Sequence, residues 1–201
     1  KGLKIKVKNF INLISKLTFF VTFLIIGSLN VSNADVTLVH TKTGAGSTGG
    51  GMIFNPDGTK FYWTDISADT IKQINLTTAY DLSSQTGSTI TFDLDPETTI
   101  CQNAFGLAIN DDGTRMFIPC YNTDTIKEIE LSTAYLVSSG SHDDSNDLDV
   151  STQTGSPSGV TFSSDGKTLF VADQVNDKIW EHPCTAAYDV SSCTADVSSA
   201  G

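Results

Sequence analysis

Apolar and polar positions alternate along this chain in short blocks. Apolar runs of three residues are separated by turn-forming residues, and the arrangement recurs three times. The recurrent cores are 51–84, 106–139 and 159–192, each 34 residues long, aligned without a gap, with starts 55 and 53 residues apart. Self-similarity near a 50-residue period marks a solenoid, a propeller or an array. Nine columns are identical in all three copies. They are Gly51/Gly106/Gly159, the pairs Asp57-Gly58, Asp112-Gly113 and Asp165-Gly166, then Asp69/Asp124/Asp177 and Ile71/Ile126/Ile179. Ala79-Tyr80, Ala134-Tyr135 and Ala187-Tyr188 complete the set with Ser83-Ser84, Ser138-Ser139 and Ser191-Ser192.

Each copy predicts the same local structure. Asp-Gly between two apolar runs signals a hairpin, because tight hairpin turns need positive φ. The first run is Met52–Phe54, Leu107–Ile109 or Val160–Phe162, and the second is Phe61–Trp63, Met116–Ile118 or Leu169–Val171. Short continuous runs rich in aromatic and β-branched residues suit strands buried on both faces. A third strand starts near Ile71, Ile126 and Ile179, after a turn in which Asp69, Asp124 or Asp177 is expected to cap with its own side chain. A fourth, more polar strand fits Thr89–Asp93 and Leu148–Ser151. The unit is a four-stranded antiparallel meander, which exposes two apolar faces and must stack on its own copies. The fold class is therefore all-β, with about three β-propeller blades in 35–201.

The pattern Phe-x-x-Asp-Gly-x-x-[Leu/Phe/Met]-[Phe/Tyr]-[Val/Ile/Trp], as in Phe162–Val171, resembles the blades of bacterial secreted β-propellers of the YVTN and NHL-like type, over about residues 36–201. That resemblance implies a fold. Its members include lactonases, surface-layer proteins and adhesion modules, so it leaves function open. Propellers close with four to eight blades, so ring completion by further blades or by a second chain is expected. A chain that begins with Lys1 is read as part of a longer propeller. Val36–His40 reads as a strand from an incomplete blade, and Thr194–Gly201 as a linker leading toward a new one.

Residues 1–34 read as a secretory signal peptide. Lys1, Lys4, Lys6, Lys8 and Lys16 form a basic head, Leu17–Leu29 an apolar stretch, and Ser32-Asn33-Ala34 a small-x-small cleavage site. The alternative is an uncleaved anchor, for which the apolar run is short. A secreted, periplasmic or cell-surface location follows. The cysteines agree with export. Cys101 and Cys120 flank one hairpin, and the other copies lack both together, so they are expected to pair. Cys184 and Cys193 bracket a short loop and form the second expected disulfide. Past residue 34 the chain holds seven Lys and Arg against 23 Asp and Glu, a net charge of −16 once the five Lys of the head are removed from the total of −11. Such a chain carries no basic patch for nucleic acid.

Candidate chemistry is sparse. Asp143, Asp144, Asp147 and Asp149 cluster in one segment and are the local candidates for calcium, which takes six to eight oxygen ligands. A solvated acidic loop is the simpler account, and the spacing is not that of an EF-hand. Asp57, Asp112 and Asp165 with their glycines read as turn residues. Tyr80, Tyr135 and Tyr188 suit burial against an adjacent blade, or a stacked ladder for sugars. Asn55, Asn110 and Ser163 form a polar column that could face a channel. No catalytic set assembles. The expected function is an exported, non-catalytic binding or surface module for a protein or a glycan. The alternatives are a lactonase-like hydrolase, and a structural surface or fibre array.

Overall fold

The computed structural model describes residues 49–95 and 100–194 and the backbone of the strand Ser199–Ala200. The segment 1–34, read above as a signal peptide, and the strand expected at Val36–His40 lie outside the described residues. The first blade consists of β1 (Gly49–Phe54), β2 (Lys60–Asp65), β3 (Thr70–Leu76) and β4 (Gln85–Asp93), hydrogen-bonded in chain order. The second has β5 (Ala108–Ile109), β6 (Arg115–Cys120), β7 (Thr125–Leu131), β8 (Gly140–His142) and β9 (Leu148–Asp149). The third has β10 (Pro157–Phe162), β11 (Thr168–Asp173), β12 (Lys178–Pro183) and β13 (Ser199–Ala200). Pairing is antiparallel throughout, as in Phe54↔Phe61 and Phe61↔Ile74.

The core lies between blades. Tyr62 and Ile71 of the first blade share a cluster with Met116, Ile118 and Ile129 of the second. Phe117 and Ile126 of the second do the same with Leu169 and Val171 of the third. The recurrent glycines permit this approach near the inner strands. A Cβ on Gly51 would stand 2.6 Å from the backbone nitrogen of Leu107, and one on Gly106 2.9 Å from the carbonyl oxygen of Ser158.

Several local expectations are corrected. The Asp-Gly hairpins form, with their glycines at positive φ. Asn55 and Lys60 pair by backbone hydrogen bond around a four-residue loop, in which Gly58 N–H donates to the Asn55 carbonyl. Burial on both faces holds for β2 and β6, each with five consecutive buried residues. It fails for β1, the edge strand of its sheet, where Met52 is exposed. The fourth strand of the first blade begins earlier, at Gln85. That of the second blade is split, since a 3₁₀ turn at Asp144–Asn146 interrupts it between β8 and β9. The segment read as a linker, Thr194–Gly201, carries a strand: Ser199 and Ala200 pair with Trp180 and Ile179 as the third blade's fourth strand.

Candidate functional site

The invariant columns meet at the hairpin loops. Gly58, Gly113 and Gly166 have φ of 71°, 72° and 69°. The Tyr80 ring lies on Gly58, where a Cβ would come within 2.5 Å of it, and Tyr135 and Tyr188 cover Gly113 and Gly166 in the same way. Each tyrosine N–H donates to the carbonyl of its glycine, and the Tyr80 hydroxyl donates to the Pro56 carbonyl at 3.0 Å. The Tyr135 hydroxyl bonds the Asp111 carbonyl. These tyrosines therefore brace the loops of their own blades. Tyr80 is 60% exposed, which corrects the expectation that it is buried against a neighbour.

Asp57, Asp112 and Asp165 each accept the N–H two residues on, from Thr59, Thr114 and Lys167. Hydrogen bonds from side-chain hydroxyls, first of all, and from these N–H groups hold the three carboxyls below the usual carboxylate range. Asn55, Asn110 and Ser163 do not face a channel as free polar groups. Their side-chain oxygens accept the N–H groups of Lys60, Arg115 and Thr168 at 2.8, 2.9 and 3.0 Å, closing the same loops. Asp69, Asp124 and Asp177 take positive φ of 47°, 50° and 53°, a region that Asp tolerates better than most residues. The Asp69 carboxylate accepts the N–H of Asn103, 34 residues on, rather than a group of its own turn.

Both disulfides are present, Cys101–Cys120 and Cys184–Cys193. In the third blade the columns of Cys101 and Cys120 are filled by Thr154 and Asp173. There Asp173 accepts instead from the Val175 and Asn176 N–H groups and from the Asn176 amide, and Thr154 Oγ1 accepts from Ser156 N–H. Burial alone would raise the Asp173 carboxyl, but bonds from Asn176, Thr154 and Val175 hold it low. In the first blade Asp65 pairs instead with Lys72 at 2.6 Å.

The calcium candidates divide. Asp143 accepts from Ser145 N–H at 3.0 Å and caps the 3₁₀ turn, while Asp149 accepts from Ser151 N–H at 2.9 Å. Asp144 and Asp147 converge with His142, a residue outside the four candidates. The Lys127 ammonium, however, lies 2.7 Å from Asp147 and 3.7 Å from Asp144, and His142 Nε2 lies 3.1 Å from Asp147. A lysine charge already stands where a cation would bind.

His142 also borders an open cleft of about 490 Å³ between β4 and β8, lined by Thr91, Phe92, Asp93, Ile100, Ser138 and Ser141. The cleft combines an aromatic ring, three hydroxyls, a carboxylate and an imidazole fixed by Asp147. A second buried charge sits nearby in the fold. Glu128 is 2% exposed, accepts from Val190 N–H at 3.2 Å and pairs with Arg115 at 3.1 Å. Burial pushes its carboxyl up to about 7, against the opposing pull of Arg115.

No family model matches the chain, and no curated protein matches it. Solved structures do. The periplasmic gluconolactonase of Pseudomonas aeruginosa superposes with a TM-score of 0.52 at 20% identity, over 80% of this chain and 41% of that one. A candidate 6-phosphogluconolactonase of Bacteroides uniformis gives 0.52 at 14% identity, over 76% and 40%. A protein from Lactobacillus plantarum gives 0.51 at 14%, also over 76% and 40%. The chain spans roughly two fifths of the length of each. At these identities the likeness is one of fold, and the chain is built of β-propeller blades.

Proposed function

We propose that this chain is part of an exported propeller that binds a hydroxyl-rich ligand, a glycan or sugar acid, in the cleft between its first and second blades. The observation that carries this reading is the cleft's lining. Phe92 offers an apolar ring edge, and Thr91, Ser138, Ser141, Asp93 and His142 offer hydrogen-bonding groups around it. Small-ligand sites combine apolar walls with a few placed polar groups in this way. Export is supported by the two disulfides, which persist in oxidising compartments, and by the basic and apolar head of the sequence. Among the described residues no helix is long and apolar enough to cross a membrane.

A glycan array probed with the wild-type chain and with Ser141→Trp tests the reading. Ser141 is exposed on β8, and an indole there fills the cleft without entering the core. The wild type is expected to bind a defined set of glycans and the variant to lose it with its far-ultraviolet circular dichroism unchanged. Equal binding by both would reject the cleft.

The structural neighbours favour a second reading, in which the ligand is a sugar lactone and is hydrolysed. His142, oriented by Asp147, would be the base available at the cleft wall. Acid release from glucono-δ-lactone, compared with His142→Gln, separates the two readings. Turnover that falls in the variant supports hydrolysis, and a rate equal to buffer supports binding alone.

A further inference from the structure

One column of the repeat holds a lysine whose partner changes between blades. Lys72 on β3 pairs with Asp65 at the end of β2, at 2.6 Å. In the second blade the Asp65 column is Cys120, which is held in a disulfide. Lys127 on β7 turns instead to Asp147, 20 residues on, and its nitrogen lies 2.7 Å from Oδ2. Asp147 stands between the 3₁₀ turn Asp144–Asn146 and β9, in the stretch that interrupts the blade's fourth strand. In the third blade the lysine column is Trp180.

The two lysine–aspartate pairs differ in their surroundings. Hydrogen bonds from Lys72, first of all, and from Ser67 hold the Asp65 carboxyl below the usual carboxylate range, so that pair stays ionic. At Asp147 three other groups converge. The Lys127 and Asp147 side chains are 10% and 9% exposed, and a buried pair of charges is relieved when a proton crosses it and leaves an amine and an acid. Asp147 Oδ1 accepts from Glu128 N–H at 3.3 Å. His142 Nε2, on a side chain 8% exposed, lies 3.1 Å from Oδ1 and 3.2 Å from Oδ2. An amine, a carboxyl, a backbone donor on one carboxyl oxygen and an imidazole beside both oxygens thus meet in one place. These are the parts that amide formation needs: a nucleophile, a donor for the developing oxyanion and a proton shuttle.

We propose that Lys127 and Asp147 condense into an intramolecular isopeptide bond. One proton passes from the ammonium to Oδ2, leaving a neutral amine and a carboxylic acid. Nζ then attacks Cγ, and the charge that develops on Oδ1 meets the Glu128 N–H. His142 takes a second proton from Nζ and delivers it to Oδ2. The Cγ–Oδ2 bond breaks, Oδ2 leaves as water, and the amide keeps one N–H. No oxidant or other reactant is consumed. The bond ties β7 to the start of β9 and closes a loop that contains β8 and the interrupting turn. It therefore fixes the strand that carries Ser141 and His142, and restricts the unfolded chain as a disulfide would. One positive and one negative charge vanish together, so the bond creates no cation site.

The test is the intact mass of the purified, folded chain, followed over days and compared with the mass of its disulfide-bonded sequence. The wild type is expected to be lighter by one water, about 18 Da, and Lys127→Arg and Asp147→Ala to keep the full mass. His142→Ala is expected to convert more slowly than the wild type. Tryptic digestion of the wild type should yield one branched peptide joining Lys127 to Asp147, a result that stands even where a variant fails to fold. A wild type that keeps its full mass overturns the proposal. So does a loss of water that persists in Lys127→Arg, or that maps to Asp57, Asp112 or Asp165, where an Asp-Gly sequence sheds water by closing on the glycine nitrogen. Conversion of His142→Ala at the wild-type rate overturns the role given to the imidazole.

Discussion

Replacing Glu128 by Gln removes a titrating group from the interface between the second and third blades while keeping its acceptor. Glu128 is almost fully buried, and burial lifts its carboxyl from 4.5 to about 7. The native state therefore holds a proton that the unfolded chain releases near pH 4.5. Between those values the folded state binds more protons than the unfolded one, so stability is greatest below pH 4.5 and falls as pH rises through 7. At 1.36 kcal/mol per pKa unit the wild type loses about 3 kcal/mol from this group by pH 8. Other groups change the curve of each protein equally. The low-lying carboxyls of Asp57, Asp65, Asp112 and Asp165 titrate below this window. Buried His182 has its imidazole pKa lowered by desolvation, so it adds stability as pH rises toward 6.5 and partly masks the loss. The difference between wild type and variant isolates Glu128. Urea unfolding at pH 4.5, 6 and 8 should show the variant gaining about 3 kcal/mol on the wild type across the series. Parallel curves would refute the reasoning, because Glu128 would then titrate alike in both states.

Removal of the Cys101–Cys120 disulfide, which closes a separation of 19 residues, should cost about 3 kcal/mol of stability by chemical denaturation. Gly113→Ala puts a methyl group into positive-φ backbone and against the Tyr135 ring, and should lower stability by about 1–3 kcal/mol. Asn110→Ala leaves the loop N–H of Arg115 without its acceptor and should cost about 1 kcal/mol in the same assay. Calcium at millimolar concentration should leave the thermal midpoint of the wild type unmoved, since the Lys127 ammonium already stands between Asp147 and Asp144; a rise of several degrees would show a site that the ion pairs do not exclude.

Blade architecture is legible because it rests on period and turn chemistry, which a sequence displays directly. The Cys101–Cys120 pair is legible for a related reason. Two columns change together in one copy, and both thiols flank one hairpin. What stays hidden depends on contacts across sequence. Tyr80 covers Gly58 from 22 residues away, so two invariant columns that look independent are one packing unit. The Gln73–Val137 and Glu128–Val190 contacts cross 64 and 62 residues, and neither pair of columns is identical in the repeat. The polar column Asn55, Asn110 and Ser163 looks available for chemistry because residue type does not tell where a carbonyl or hydroxyl oxygen points. In the fold each oxygen is taken by a backbone N–H five residues on. The cleft lining is not legible at all, since it joins β4 of one blade to β8 of the next. Within the acidic segment, composition suggests a metal, while Lys127, 20 residues from Asp147 in sequence, decides the electrostatics.

The claim that the cleft between the first two blades is a ligand site is tested most directly by titrating gluconate and soluble oligosaccharides into the ¹⁵N-labelled chain and mapping amide shifts. Saturable shifts confined to Thr91, Phe92, Asp93, Ser138, Ser141 and His142 are the predicted result. Shifts clustered on another surface, or none at saturating ligand, would contradict it.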